Sequence, residues 1–188
     1  MFFSTDNDDD MKIAGSDIHS SPREDAGDIA AKQFLAQKDA GNIDVARKLG
    51  TAYAKAILDI GNHNDFLSKQ STMLEAHHQI LLCAYIVNKV IAGKSPNSIL
   101  AQTSLGRFYD EISSSAPHMY GHISDMAAFS LYILNDRSDD LDEEVGRIYA
   151  RLCGFENDSQ KADDGNRIYS RFYDFCAGLM ENAGYIIV

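Results

Sequence analysis

The residues best suited to chemistry in this sequence are histidines that recur at helical spacing. His118, His122 and Asp125 follow the pattern His-x3-His-x2-Asp, which places the three side chains on one face of a helix. Two imidazoles one turn apart can bind one metal ion, and a carboxylate one turn further can serve as a ligand, a base or a partner that orients a ligand. As an alternative to a protein without a cofactor, the pattern indicates a site for a divalent transition metal such as zinc or iron.

A second group of candidate ligands lies earlier in the chain. Glu75 and His78 form a Glu-x-x-His pair, the unit that di-iron carboxylate bundles use twice. Only one such pair is present, so a di-iron centre is not predicted. If the helices carrying these two groups pack together, up to four histidines converge, and we expect the metal ligands to be His78, His118, His122 and Asp125, with His77 as a further contributor.

The leading interpretation is that the histidines only pack and that no cofactor is bound, and metal binding is the alternative to it. Histidines in amphipathic helices commonly lie at the edge of a core, each with one hydrogen bond. His77 stands at helical spacing from Met73 and Ile80, which is typical of a core position. The two interpretations differ in one respect: ligands require the rings of His78, His118 and His122 to face one cavity.

A possible calcium loop occurs near the start of the sequence. Asp6, Asp8 and Asp10 occupy the first, third and fifth positions of such a loop. Its sixth position should be glycine and is Met11, and the twelfth is Asp17, where glutamate is usual. An acidic flexible tail explains the same residues, and we favour the tail.

Other catalytic signatures are absent from the sequence. It contains no phosphate-binding glycine-rich loop, no Gly-x-Ser-x-Gly and no Cys-x-x-Cys, so no catalytic residue is predicted. Cys83, Cys153 and Cys176 have apolar neighbours and an odd count. We expect them to be buried free thiols in a reducing compartment, which indicates a cytoplasmic protein.

The charge balance restricts the classes of partner. The 188 residues include 17 lysines and arginines against 28 acidic residues, for a net charge of −11. Nucleic-acid binding depends on neutralising phosphates with basic side chains. Here these are few and scattered, so we expect neither a nucleic-acid partner nor an anionic membrane surface.

The apolar residues recur every three or four positions, and this period predicts an all-α protein. We expect an acidic flexible tail over residues 1–22 and one domain over 23–188, a bundle of six or seven helices. The predicted seven segments begin near Ser21 and then cover approximately 43–60, 64–92, 97–113, 117–134, 140–153 and 159–182. Ala46, Gly50 and Ala54 form a row of small residues that predicts close approach of a second helix.

Because catalytic motifs are absent, the leading functional prediction is a non-catalytic protein-interaction or regulatory module that binds a protein partner or itself. The alternative is a metal-dependent helical-bundle enzyme with a His/Asp site between the third and fifth helices. The apolar run Tyr185-Ile186-Ile187-Val188 bears on association. We expect it to be buried, either in a groove of its own chain or against a second copy.

Overall fold

The computed structural model of the protein describes residues 26–59, 72–124, 126–135 and 141–188. Within these ranges the secondary structure is entirely α-helical, so the predicted fold class is confirmed. The eight helices are α1 (Ala26–Asp39), α2 (Asn42–Leu58), α3 (Met73–Lys94), α4 (Ser98–Ser115), α5 (Pro117–Ile123), α6 (Met126–Asn135), α7 (Leu141–Leu152) and α8 (Ser159–Glu181).

Helix α3 is the centre of the bundle. It packs against α2, α4, α5, α6, α7 and α8. Every residue from Leu81 to Val87 is buried, so this stretch is apolar around its whole circumference. A helix with apolar residues on all sides is stable in water only when neighbours enclose it. The second half of α3 therefore forms the core, whereas its first turns reach the surface.

Two pairs of helices pack at very short range. In α2 the predicted row of small residues lies against α4, and a Cβ atom placed on Gly50 would collide with the main chain at Ser104 and Phe108. In α7 and α8, a Cβ atom on Gly165 would lie 2.8 Å from the ring of Tyr149. Since only glycine fits at such distances, these positions determine how closely the helices approach each other.

The prediction of six or seven helices is wrong for the described residues, which contain eight. The segment predicted as one helix over 117–134 is two, α5 and α6. The hydroxyl of Ser124 donates to the carbonyl oxygen of Gly121 at 3.1 Å, and such local bonds compete with helical ones. Helix α5 ends at this turn, and Asp125 lies outside the described residues.

The predicted start of the third helix is also wrong. Thr72 is extended and caps α3: its hydroxyl accepts from the N–H of Glu75 at 3.2 Å, and its own N–H donates to the Glu75 carboxylate at 2.9 Å. This reciprocal capping box fixes Met73 as the first helical residue. Residues 60–71, and residues 1–25 with the predicted tail and calcium loop, lie outside the described residues.

The expectation for residues 185–188 is only partly met within the chain. Tyr185 is half-buried and packs against the core. Ile186 is held through its backbone: Asn42 donates to its carbonyl oxygen at 2.7 Å and accepts from its N–H at 2.8 Å. The side chains of Ile186, Ile187 and Val188 are exposed, so their predicted burial in a groove of this chain is wrong. Burial against a second copy stays a prediction.

Candidate functional site

An open groove with a volume of about 640 Å³ lies between the first turns of α3 and the short helix α5. Its lining combines imidazoles, thioethers and aliphatic groups. The lining residues are Met73, Leu74, Ala76, His77, His78 and Ile80 from α3, and His118, Met119 and His122 from α5. The groove therefore gathers four histidines and two methionines on two neighbouring helices.

The α3 wall is positioned by the capping box. Because α3 begins at Met73, the side chains of Met73 and His77 are one turn apart on the same face. Glu75 points away from the groove. Its carboxylate lies 2.9 Å from the ammonium of Lys161 on α8, and the side chains are only 6% and 17% exposed. This ion pair anchors the start of α3 to the bundle.

Glu75 is thus a structural residue, and its sequence pairing with His78 as a metal-binding unit is not realised. The hydrogen bond from Lys161 lowers the pKa of the Glu75 carboxyl, although burial acts in the opposite direction. The same hydrogen bond raises the pKa of Lys161. Both groups are therefore charged over the range between their two pKa values, and each satisfies the other.

The α5 wall is a seven-residue helix that begins with Pro117 at its first position. Proline suits this position because its missing N–H would have no helical partner. Ile123 is buried and Met119 is partly buried against the core, so they attach α5 to the bundle. His118 and His122 are one turn apart and exposed, on the side that faces α3.

The two walls meet through their histidine rings. The ring centres of His77 and His122 are 4.1 Å apart with planes inclined by 68°, and those of His77 and His78 are 4.9 Å apart with an inclination of 75°. Both pairs pack edge to face. Three of the predicted ligands, His78, His118 and His122, thus line one groove, and the fourth, Asp125, lies outside the described residues.

The assignment of His77 to the core is wrong. His77 is half-exposed at the groove, whereas its neighbour His78 is the more deeply buried ring, with 8% exposure. Before Leu81 only one face of α3 is buried, the face that carries Glu75, His78 and Gln79. His77 lies off that face and lines the groove.

The rings are close enough to cooperate but are not yet arranged around an ion. Among the described residues, no group of three or more His, Cys, Asp or Glu side chains is placed to hold a metal. Imidazoles that share an ion bind it at about 2.0–2.1 Å, which separates ring centres by roughly 5 Å. The 4.1 Å between His77 and His122 is shorter. Coordination requires these rings to turn.

The methionines of the groove were not identified from the sequence. Met73 stands four residues before His77, and Met119 stands directly after His118 and three residues before His122. Methionine is so common in cores that its spacing attracts no attention. The available signal was the repetition of methionine beside histidine at helical spacing in two segments.

The three cysteines are buried free thiols, as predicted. Burial raises the pKa of Cys83, and the nearby Cys176 thiol raises it further. Burial also raises the pKa of Cys153 to about 11. A thiol with a raised pKa forms little thiolate, so these cysteines are poor nucleophiles and contribute to packing.

No protein-family model matches this sequence, and no curated protein or solved structure is significantly similar to it. Among the helices in the described ranges, none is long and apolar enough to cross a bilayer. Function must therefore be inferred from the residues of the groove itself.

Proposed function

We propose that this protein binds a transition-metal ion in the histidine groove between α3 and α5. The ligands are drawn from His77, His78, His118 and His122, and Asp125 stays a candidate from its spacing in the sequence. The observation that carries the proposal is the contact between the rings of His77 and His122, which come from separate helices and meet at an open groove.

The chemistry of the groove supports metal binding over packing alone. Imidazole is the side chain that suits zinc, iron, nickel and copper alike. The exposed rings of His118 and His122 can change rotamer within nanoseconds, so the reorientation that coordination needs is accessible. A metal in an open groove keeps a position for water or substrate, as catalytic sites require. The proposal that the protein is a metal-dependent enzyme depends on this open coordination position.

The test is a zinc and nickel titration of chelator-treated protein by calorimetry. We expect close to one ion per chain for the unmodified protein and loss of binding in the double variant His77→Ala, His122→Ala. Tyr120→Phe serves as the control, since Tyr120 belongs to α5 but does not line the groove. Circular dichroism checks that each variant is folded.

Two results would contradict the metal proposal. One is stoichiometric binding that survives the double substitution in folded protein, because the ion would then be held elsewhere. The other is the absence of zinc and nickel binding in the unmodified protein, which would leave the histidines as packing residues.

A second candidate function is self-association, supported by exposed apolar side chains on α1 and at the C-terminal residues. Helix α1 exposes Ile29, Phe34 and Leu35, and Val188 lies beside α1 at a cleft that also includes Lys32 and Ala36. Exposed apolar surface of this kind is commonly covered by a partner. We propose that this partner is a second copy of the chain. The setting that suits the free thiols is the cytoplasm, and we expect no nucleic-acid partner.

Analytical ultracentrifugation over a range of protein concentrations tests whether the chain forms a dimer. We expect a dimer that dissociates when Leu35→Ser is combined with deletion of residues 186–188. The control is Leu134→Ser, since Leu134 is also exposed, more so than Leu35, but belongs to α6. A monomer at every concentration would exclude this function.

A further inference from the structure

The groove contains two methionine sulfurs in addition to its imidazoles, and they bear on which metal it takes. We propose that the groove selects copper(I), with the thioethers of Met73 and Met119 acting as ligands beside the imidazoles of His77 and His122. This inference rests on the proposed function, since it specifies the ion for the same groove.

The four donors are two matched pairs. On α3, Met73 lies one turn before His77, and on α5, Met119 lies one turn before His122. Each helix therefore presents one sulfur and two imidazoles on its groove side, and the contact between His77 and His122 joins the two Met–His pairs. A mixed set of two soft sulfurs and two imidazoles is thereby within one groove.

The type of donor favours copper(I). Thioether and thiolate sulfurs are soft ligands that select copper(I), whereas carboxylate and water oxygens suit harder divalent ions. Of the nine described residues that line the groove, none carries a carboxylate or a thiol. The donor set is therefore neutral, apart from Asp125, whose position is not described.

The charge of the ion points in the same direction. Transferring a charge into apolar surroundings is costly unless an opposite charge compensates it, and the cost rises with the charge of the ion. None of the nine lining residues carries a full negative charge, and three of them, Leu74, Ala76 and Ile80, are aliphatic. A monovalent ion held by neutral donors is therefore easier to accommodate there than a divalent one.

The sulfurs are able to move to an ion. Met73 is 92% exposed at the first position of α3, and methionine has three rotatable bonds beyond its backbone. Met119 is partly buried and restricts the position of the second sulfur. One donor is thus anchored and the other is free to close over the ion from the open side.

The experiment is an anaerobic competition for copper(I) between the full chain and a chromogenic chelator, with ascorbate as reductant. The key variant is Met73→Leu, Met119→Leu, which removes both sulfurs but keeps apolar volume. We expect its copper(I) affinity to fall roughly tenfold or more, while its zinc affinity and melting temperature stay unchanged. Met180→Leu is the matched control, because Met180 is buried in α8 away from the groove.

X-ray absorption supplies a second readout. The copper(I) complex should show a copper–sulfur scattering shell that the double leucine variant lacks. The buried thiols provide an internal check: if copper is bound by Cys83, Cys153 or Cys176, the sulfur shell persists in that variant, and the inference is overturned.

The remaining outcomes separate this inference from the proposed function. If copper(I) affinity depends on His77 and His122 but not on the methionines, the groove binds metal and the selection of copper(I) by sulfur is wrong. Equal loss of zinc and copper(I) affinity in the leucine variant also overturns the inference. If the unmodified protein binds neither ion, both proposals fail.

Discussion

The contact between α2 and α4 and the groove between α3 and α5 use the same spacing for opposite purposes. Along α2, Ala46, Gly50 and Ala54 recur every four residues, and their small size brings the backbone of α4 into contact. Met73 and His77 also stand four residues apart, but their long side chains line an open groove between α3 and α5. Helical period alone sets which residues share a face, and side-chain size decides whether the face closes.

The α2–α4 contact is suited to stability, and the α3–α5 groove is suited to binding. A close backbone contact cannot shift without breaking many interactions at once, so it belongs to the most stable part of a fold. A groove lined by exposed side chains can reorganise at small cost, and mobile binding surfaces are drawn from such regions. In this protein the rigid contact is formed by residues without functional groups, and the reactive side chains lie at the adjustable edge.

The largest effect is expected when the close contact is broken. Gly50→Ala places a methyl group against the main chain of α4, where no flexible side chain can move aside. We expect a loss of about 3 kcal/mol in the free energy of unfolding, which lowers the melting temperature by roughly 6–12 °C for a chain of this size. Calorimetry and urea unfolding provide the measurement.

Gly106→Ala is the control for this prediction. Gly106 belongs to α4 itself, and a Cβ atom there has no neighbour within 4 Å. Because alanine is the better helix former, this variant should gain about 0.5–1 kcal/mol. Equal effects of the two substitutions would show that Gly50 is not at a restrictive contact.

A smaller effect that depends on pH is expected at the back of the α3 wall. Glu75→Gln keeps the shape of the side chain but removes the charge that faces Lys161. We expect the free energy of unfolding to fall by about 1–2 kcal/mol near neutral pH, because the amide oxygen can still accept a hydrogen bond from Lys161. The lowered pKa of Glu75 means that its contribution is present above the unfolded value of 4.5 and is lost as the pH falls through the folded value.

The raised pKa of Lys161 sets the alkaline limit of the stability that the ion pair contributes. Its contribution is complete below the ordinary lysine value of 10.5 and is lost as the pH rises through the folded value. The free energy of unfolding of the unmodified protein and of Glu75→Gln should be measured with urea across pH. The two stabilities should become equal in acid. A difference in stability that is unchanged below pH 4.5 would show that the ion pair is not its source.

Much of the helical architecture could be predicted from the sequence, because helices follow from local periodicity. Pro117, Asn97 and Gly154 marked helix limits by their own backbone or capping preferences. The errors occurred where a local side-chain bond overrode periodicity. The capping box at Thr72 and the hydroxyl of Ser124 ended apolar patterns that continue through both positions.

The candidate site was predictable in its histidines but not in its full composition. Spacing within a helix identified His118 and His122, and the pairing of the two helices was only a hypothesis until their packing was known. The partner of Glu75 could not be found from the sequence, because Lys161 is brought to it by the fold of α8. The repetition of methionine beside histidine was overlooked because methionine is so common in cores.

The two hydrogen bonds between Asn42 and Ile186 have a consequence for the order in which the chain folds. They join residues 144 positions apart, and the entropy lost in closing a loop grows with its length. The intervening helices shorten that distance only after they have docked on one another. We therefore expect Asn42 to bind its partner late, after the transition state, so that the two bonds chiefly slow unfolding.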